Sequence, residues 1–140
     1  MRLLPLTVAL LLGAAIPRAR ASDVEVRIMN VADGRGTVRA EICRPAEWLK
    51  DGCAHKSLAP AVRGVTTVTL RNVEPGTWAV VAFHDRNNDG EVDRNLLGIP
   101  TEGIGFSRDP SLGLHGPSFS SAAFTVGNDG VTIEIRLRFE

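Results

Sequence analysis

Apolar and polar side chains alternate strictly at the end of the chain. Val131, Ile133, Ile135, Leu137 and Phe139 are apolar, while Thr132, Glu134, Arg136, Arg138 and Glu140 are polar. A period of two is that of a β-strand with one buried face, so this segment predicts a final strand. Val24, Val26 and Ile28 alternate with Asp23, Glu25 and Arg27, and Val38, Ala40 and Ile42 alternate with Thr37, Arg39 and Glu41. These predict two more strands. The Asp-Gly signal in Ala32-Asp33-Gly34-Arg35-Gly36 predicts a hairpin between them. The β-branched run from Val65 to Leu70 predicts another strand, which Glu74-Pro75-Gly76 turns into a partner over Thr77 to His84. In that partner Trp78, Val80 and Ala82 share one face and Ala79, Val81 and Phe83 the other. Both faces are therefore expected to be covered, as in a central strand. Asn128-Asp129-Gly130 predicts a third hairpin, joining Ala122 to Val126 with the final strand. The sole helical candidate is short, Pro45 to Lys50. Several short strands separated by turn signals predict an all-β, antiparallel β-sandwich.

From Asn95 to Ser121 no period persists. Glycine, proline and serine are frequent, and Leu96, Leu97, Ile99, Ile104 and Phe106 are scattered among them. A loop of this length in a compact domain is usually functional or disordered. Its apolar residues predict packing onto one end of the sandwich.

The beginning of the chain carries a different signal. Arg2 precedes an apolar run from Leu3 to Ile16, and Ala19-Arg20-Ala21 has the small-x-small form of a secretory cleavage site. Residues 1–21 are expected to be a signal peptide and residues 22–140 a single β-sandwich domain, exported to the periplasm or beyond. The alternative, an N-terminal anchor, meets a run shorter than the about 20 apolar residues that span a bilayer. After cleavage no membrane span is expected. Removing Arg2, Arg18 and Arg20 from 16 basic side chains leaves 13 against 16 acidic ones, a net charge of −3. That balance argues against nucleic acid as a partner.

Cys43 and Cys53 follow an export signal and so are expected to form a disulfide. Closing so short a loop stabilises by about 2.5 to 3 kcal/mol in the chain-entropy model. The competing reading joins them with His55 as a soft-metal site, but a fourth ligand and a zinc-type spacing are missing.

The most chemical segment is Asp85-Arg86-Asn87-Asn88-Asp89-Gly90-Glu91-Val92-Asp93. Oxygen donors at alternate positions around a turn glycine are what a hard cation requires, and Asp85, Asn87, Asp89, Glu91 and Asp93 occupy positions 1, 3, 5, 7 and 9 of a calcium loop. Glu91 would contribute its backbone carbonyl. Position 12, a bidentate glutamate in that pattern, is Leu96 here, and Glu102 is the candidate replacement. Arg86 and Arg94 bring positive charge beside these positions. The competing reading is a surface turn closed by Asx bonds without an ion. His84, next to Asp85, is a candidate base, although a structural role is the commoner one. No phosphate loop, Gly-x-Ser-x-Gly element or zinc-protease signature accompanies it. Trp78 is expected in the core, and Trp48 and Phe119 are candidates for a binding surface.

Four motif segments together resemble the exported bacterial proteins grouped as the domain of unknown function 2141 family. They are Val73-Glu74-Pro75-Gly76-Thr77-Trp78-Ala79-Val80, the run from Phe83 to Asp93, the run from Leu97 to Ser107, and Gly116-Pro117-Ser118-Phe119. The resemblance implies a sandwich of the transthyretin-like or immunoglobulin-like kind and implies no biochemical activity. The expected protein is a non-catalytic binding or structural module of the cell envelope with a calcium-organised loop, its partner a glycan, a peptide or another envelope protein. The alternative is a metal-assisted hydrolytic enzyme using His84 beside the acidic loop.

Overall fold

The computed structural model describes residues 13–139. Most of the apolar run assigned to the signal peptide therefore lies outside the described residues. Residues 13–21 run exposed and without regular structure into the first strand.

Eight strands follow: β1 (Ser22–Val31), β2 (Thr37–Cys43), β3 (His55–Pro60), β4 (Gly64–Val73), β5 (Gly76–Asp85), β6 (Ile104–Phe106), β7 (Phe124–Val126) and β8 (Val131–Arg136). A 3-10 turn at Pro45–Glu47 and a single helical turn, α1 (Phe119–Ala122), complete the elements. One sheet has the order β4-β1-β8, and the other β3-β2-β5-β6 with β7 paired to the start of β5. The all-β sandwich is thus present. One strand pair departs from antiparallel: β8 runs parallel to β1, Val26 opposite Ile133.

The three expected hairpins are corrected by this topology. β1 pairs with β4 and β8, whereas β2 pairs with β3 and β5, so the Asp33-Gly34 turn carries the chain from one sheet to the other. The Glu74-Pro75-Gly76 and Asn128-Asp129-Gly130 turns do the same, since β4 and β5, and likewise β7 and β8, pair in different sheets. The physical reason is that an amphipathic strand can satisfy its backbone beside any neighbour, but its apolar face is buried only by a strand from the opposing sheet. Turn chemistry sets where the chain reverses. It does not set whether the two arms share hydrogen bonds or face each other.

The inner faces meet as expected from the alternation. Val24, Val26 and Ile28 of β1, Val68 and Leu70 of β4 and Ile135 of β8 pack against Val38, Ala40 and Ile42 of β2 and Trp78, Val80 and Ala82 of β5. Trp78 is fully buried and donates through Nε1 to the Glu74 carbonyl at 2.8 Å.

The outer face of β5 carries a second apolar layer. Phe83 of β5 joins Ile104 and Phe106 of β6, Trp48 and Ala122, with Leu112 and Phe119 packed against them. Trp48 meets Phe106 and Phe119 edge-on, with centroids 5.8 and 6.0 Å apart, and its Nε1 donates to the Pro117 carbonyl at 2.8 Å. Trp48 and Phe119, candidates for a binding surface, are instead the seam between the disulfide loop and the long loop. Both faces of β5 are covered, as its two apolar faces predicted.

Cys43 and Cys53 are bonded, with Cα atoms 4.7 Å apart, which removes the soft-metal alternative with His55. Thiol labelling of the denatured, unreduced protein is expected to modify neither cysteine. Reduction is expected to lower stability by about 2.5 to 3 kcal/mol; labelling of both thiols before reduction would contradict the pairing.

Candidate functional site

Asp85 ends β5 and begins the acidic loop, and its side chain is fully buried. Burial of a carboxylate demands partners, and it has three. The Asp89 N–H donates to Oδ1 at 3.1 Å, the Gly90 N–H to Oδ2 at 2.9 Å, and Arg39 Nε to Oδ2 at 2.6 Å. The first two bonds wind the chain into a tight turn, helped by positive φ at Asn88 (56°) and Gly90 (81°). Below the turn Gly36, at φ 67°, presses so close that a Cβ there would stand 2.1 Å from the Asp85 carbonyl. Only glycine permits that approach.

Within the turn the remaining donors face one another. Asn87 Nδ2 donates to one oxygen of Asp89 at 3.2 Å and to one of Asp93 at 2.8 Å, while the Glu91 N–H donates to the other oxygen of Asp89 at 2.9 Å. Glu102 arrives from the long loop, only 5% exposed. It accepts from the Arg86 N–H at 3.0 Å and the Asp93 N–H at 3.2 Å, clasping both ends of the acidic loop. The structure therefore brings Asp85, Asn87, Asp89, Asp93 and Glu102 together, with the Glu91 side chain exposed at the rim. Among the described residues no three His, Cys, Asp or Glu side chains are arranged as a metal-holding group. The carboxylates here are engaged with N–H donors.

The electrostatics record the crowding. Desolvation, then the charges of Glu102, Asp89 and Asp85, push the Asp93 carboxyl above its ordinary 3.8. Desolvation likewise raises Glu102 above 4.5, with Asp85 and Asp89 adding to it and the Asp93 N–H opposing it. Asp89 is held below 3.8, chiefly by the Glu91 N–H. A carboxyl whose folded pKa is raised stabilises the fold when protonated and loses that contribution as pH rises through the folded value. In calcium-free buffer, the melting midpoint is thus expected to rise as pH falls from neutral toward about 4.5. Below 3.8 the depressed Asp89 and Asp33 reverse the trend. Scanning calorimetry across that range in chelator checks it; a midpoint that only falls on acidification contradicts it.

Arg39 is the member that the sequence did not single out. It lies on β2 opposite Phe83, diagonal to Asp85. The positive charges that did stand out are turned aside: Arg86 Nη2 bonds Asp33 Oδ2 at 2.6 Å, and Arg94 Nη1 donates to the Gly98 carbonyl at 3.0 Å. His84 points to the opposite face of β5 from Asp85. It is fully buried, with Nε2 2.7 Å from the Arg35 carbonyl and 3.8 Å from Asp33. Its Nδ1 and Arg86 Nε are the buried side-chain atoms without a partner among the described residues.

Two depressions adjoin the loop. A polar cleft of about 310 Å³ opens on Asn87, Asp93 and Glu102, with Arg35, Arg86 and Thr101 around it. A larger groove of about 860 Å³ lies over the outer face of the second sheet. Its floor is Val81, Phe83, Ile104 and Phe106; Gly90 to Val92 and the turn from Arg94 to Pro100 form one side, and Leu49, Lys50 and the segment 112–116 the other.

No curated protein and no solved structure matches the chain. Residues 26–134 match the family described as uncharacterized protein conserved in bacteria, DUF2141. That stretch holds all eight strands entire or in part, the acidic loop, Glu102 and both depressions, and the chain belongs to this bacterial family.

Proposed function

We propose that the chain is an exported, non-catalytic binding module of the cell envelope, whose acidic loop takes a calcium ion and thereby holds one side of the groove. The observation that carries this reading is the Glu102 clasp. A buried carboxylate is delivered beside Asp85, Asp89 and Asp93, where desolvation first and like charges after it raise two of the four groups. A divalent cation relieves that repulsion directly. Asn87 Nδ2 already sits between the Asp89 and Asp93 oxygens, and the polar cleft opens on it. Turning that amide over would offer Oδ1 in place of Nδ2, giving up the 3.3 Å bond that Oδ1 accepts from the Asp89 N–H. Asp89, Asp93, Asn87 and the Glu91 carbonyl would then face the ion, while Asp85 and Glu102 hold the frame and add charge. Export is supported by the signal-like start and by the disulfide, and the non-catalytic assignment by a His84 ring sealed away from the loop.

Arg39 supplies competing positive charge, so affinity is expected in the weak range of about 10⁻⁴ to 10⁻³ M. A calcium concentration ten times Kd would add about 1.4 kcal/mol, several degrees in melting midpoint. Asp89→Ala is expected to abolish that calcium-dependent shift, and Glu91→Ala to leave most of it, because position 91 offers its backbone oxygen. Equal wild-type midpoints in millimolar calcium and in chelator would leave the loop as an Asx-bonded turn, neutralised by Arg39 alone.

A further inference from the structure

We propose that the groove over the second sheet binds amphiphilic anions, ligands with an extended aliphatic chain and one anionic head; this rests on the binding-module reading above and names its ligand class. The groove, at about 860 Å³, is of small-molecule size. Its floor is apolar, and its lips carry leucines in water: Leu97 is 82% exposed and Leu114 97%. Covering such side chains removes apolar surface from water, so an aliphatic chain lying between the lips gains from both. A sugar face would call for an exposed ring, but Trp48 is turned inward onto Phe106.

The head group follows from the charges at the rim. Lys50 and Arg94 line the groove, and among the described residues neither has a carboxylate partner in an ion pair. Of the two acids lining it, Glu41 is already paired with Lys56 Nζ at 3.5 Å. Glu91 alone opposes the two cations. An anionic head beside Lys50 therefore meets a favourable field, and a cationic head does not.

The test is calorimetric titration of the full chain with decyl sulfate, decyltrimethylammonium and 1-decanol, each below micelle formation, in calcium and again in chelator. Decyl sulfate is expected to bind about three- to tenfold more tightly than the cation, the range of one or two exposed charge contacts, with decanol between them. Lys50→Glu, at an exposed position, should cancel or invert that order without changing the melting midpoint. Leu114→Asp should weaken all three. Equal affinity for the two charged probes, or an order that survives Lys50→Glu, overturns the anion assignment while leaving a binding groove. No binding of any probe overturns the groove as well. A missing calcium shift with decyl sulfate binding intact removes only the ion from the reading above.

Discussion

Asp85→Ala is expected to lower the free energy of unfolding by about 3 kcal/mol, the low end of what breaking a buried ion pair costs. Three donors lose an acceptor together, and of them the Asp89 N–H keeps a second one, Asn87 Oδ1 at 3.3 Å. The Arg39 guanidinium is left beside an apolar methyl, and the Asp89 and Gly90 N–H groups lose the bonds that wind the turn. Because Arg39 is a quarter exposed and the turn is at the surface, water recovers part of the loss, which keeps the value from the upper end of the range. Asp85→Asn preserves shape and one acceptor but presents an amide N–H to the donors, so its loss should be smaller. Denaturant unfolding in chelator with an unchanged slope measures both. A loss for Asp85→Ala within the about 0.5 kcal/mol of ordinary surface substitutions would show that the loop is held by Glu102 alone.

Trp48→Ala is expected to cost about 3 to 4 kcal/mol, as large aromatic truncations in a packed layer do. Two edge-on ring contacts and the bond to Pro117 disappear at once. Trp48→Phe keeps ring packing and forfeits the N–H bond, for about 1 kcal/mol. The damage should be local. The layer between the sheets, with Trp78, Val26 and Leu70, is untouched by Trp48, so hydrogen exchange should quicken in the segment 107–123 while β1 stays protected. Uniform acceleration across β1 and this segment would mean that the two layers unfold as one unit.

The parts of the site differ in how far the linear sequence discloses them. Asp85 through Asp93 are legible because one turn holds all of their donors, and turn chemistry is local. Glu102 is legible as the acid a short way along the same irregular segment that could replace the missing ligand at Leu96. Arg39, Asp33 and Gly36 are not, because each reaches the site through strand register: β2 pairs with β5 so that Thr37 faces Asp85, which sets Arg39 one diagonal away and brings Gly36 under the loop. Trp48 shows the same limit. Its place beside Phe106 and Phe119 depends on the disulfide loop and the long loop meeting on one sheet face, which no spacing encodes.

By itself the sequence determined the strands with clear alternation, the two covered faces of β5, the disulfide pair, the acidic turn and the family. These are written in near neighbours, through side-chain period and turn residues. The tertiary structure alone decided how the strands pair, that each expected hairpin crosses between sheets, that β3 and β6 are strands at all, and that Arg39 rather than Arg86 or Arg94 meets Asp85. β3 carries little alternation and ends in Pro60 at a sheet edge, and β6 is three residues long within an irregular segment. Their hydrogen bonds come from β2 and β5, partners distant in sequence. Pairing is set by which arrangement buries the most apolar surface with every backbone group satisfied, and that is a property of the whole chain.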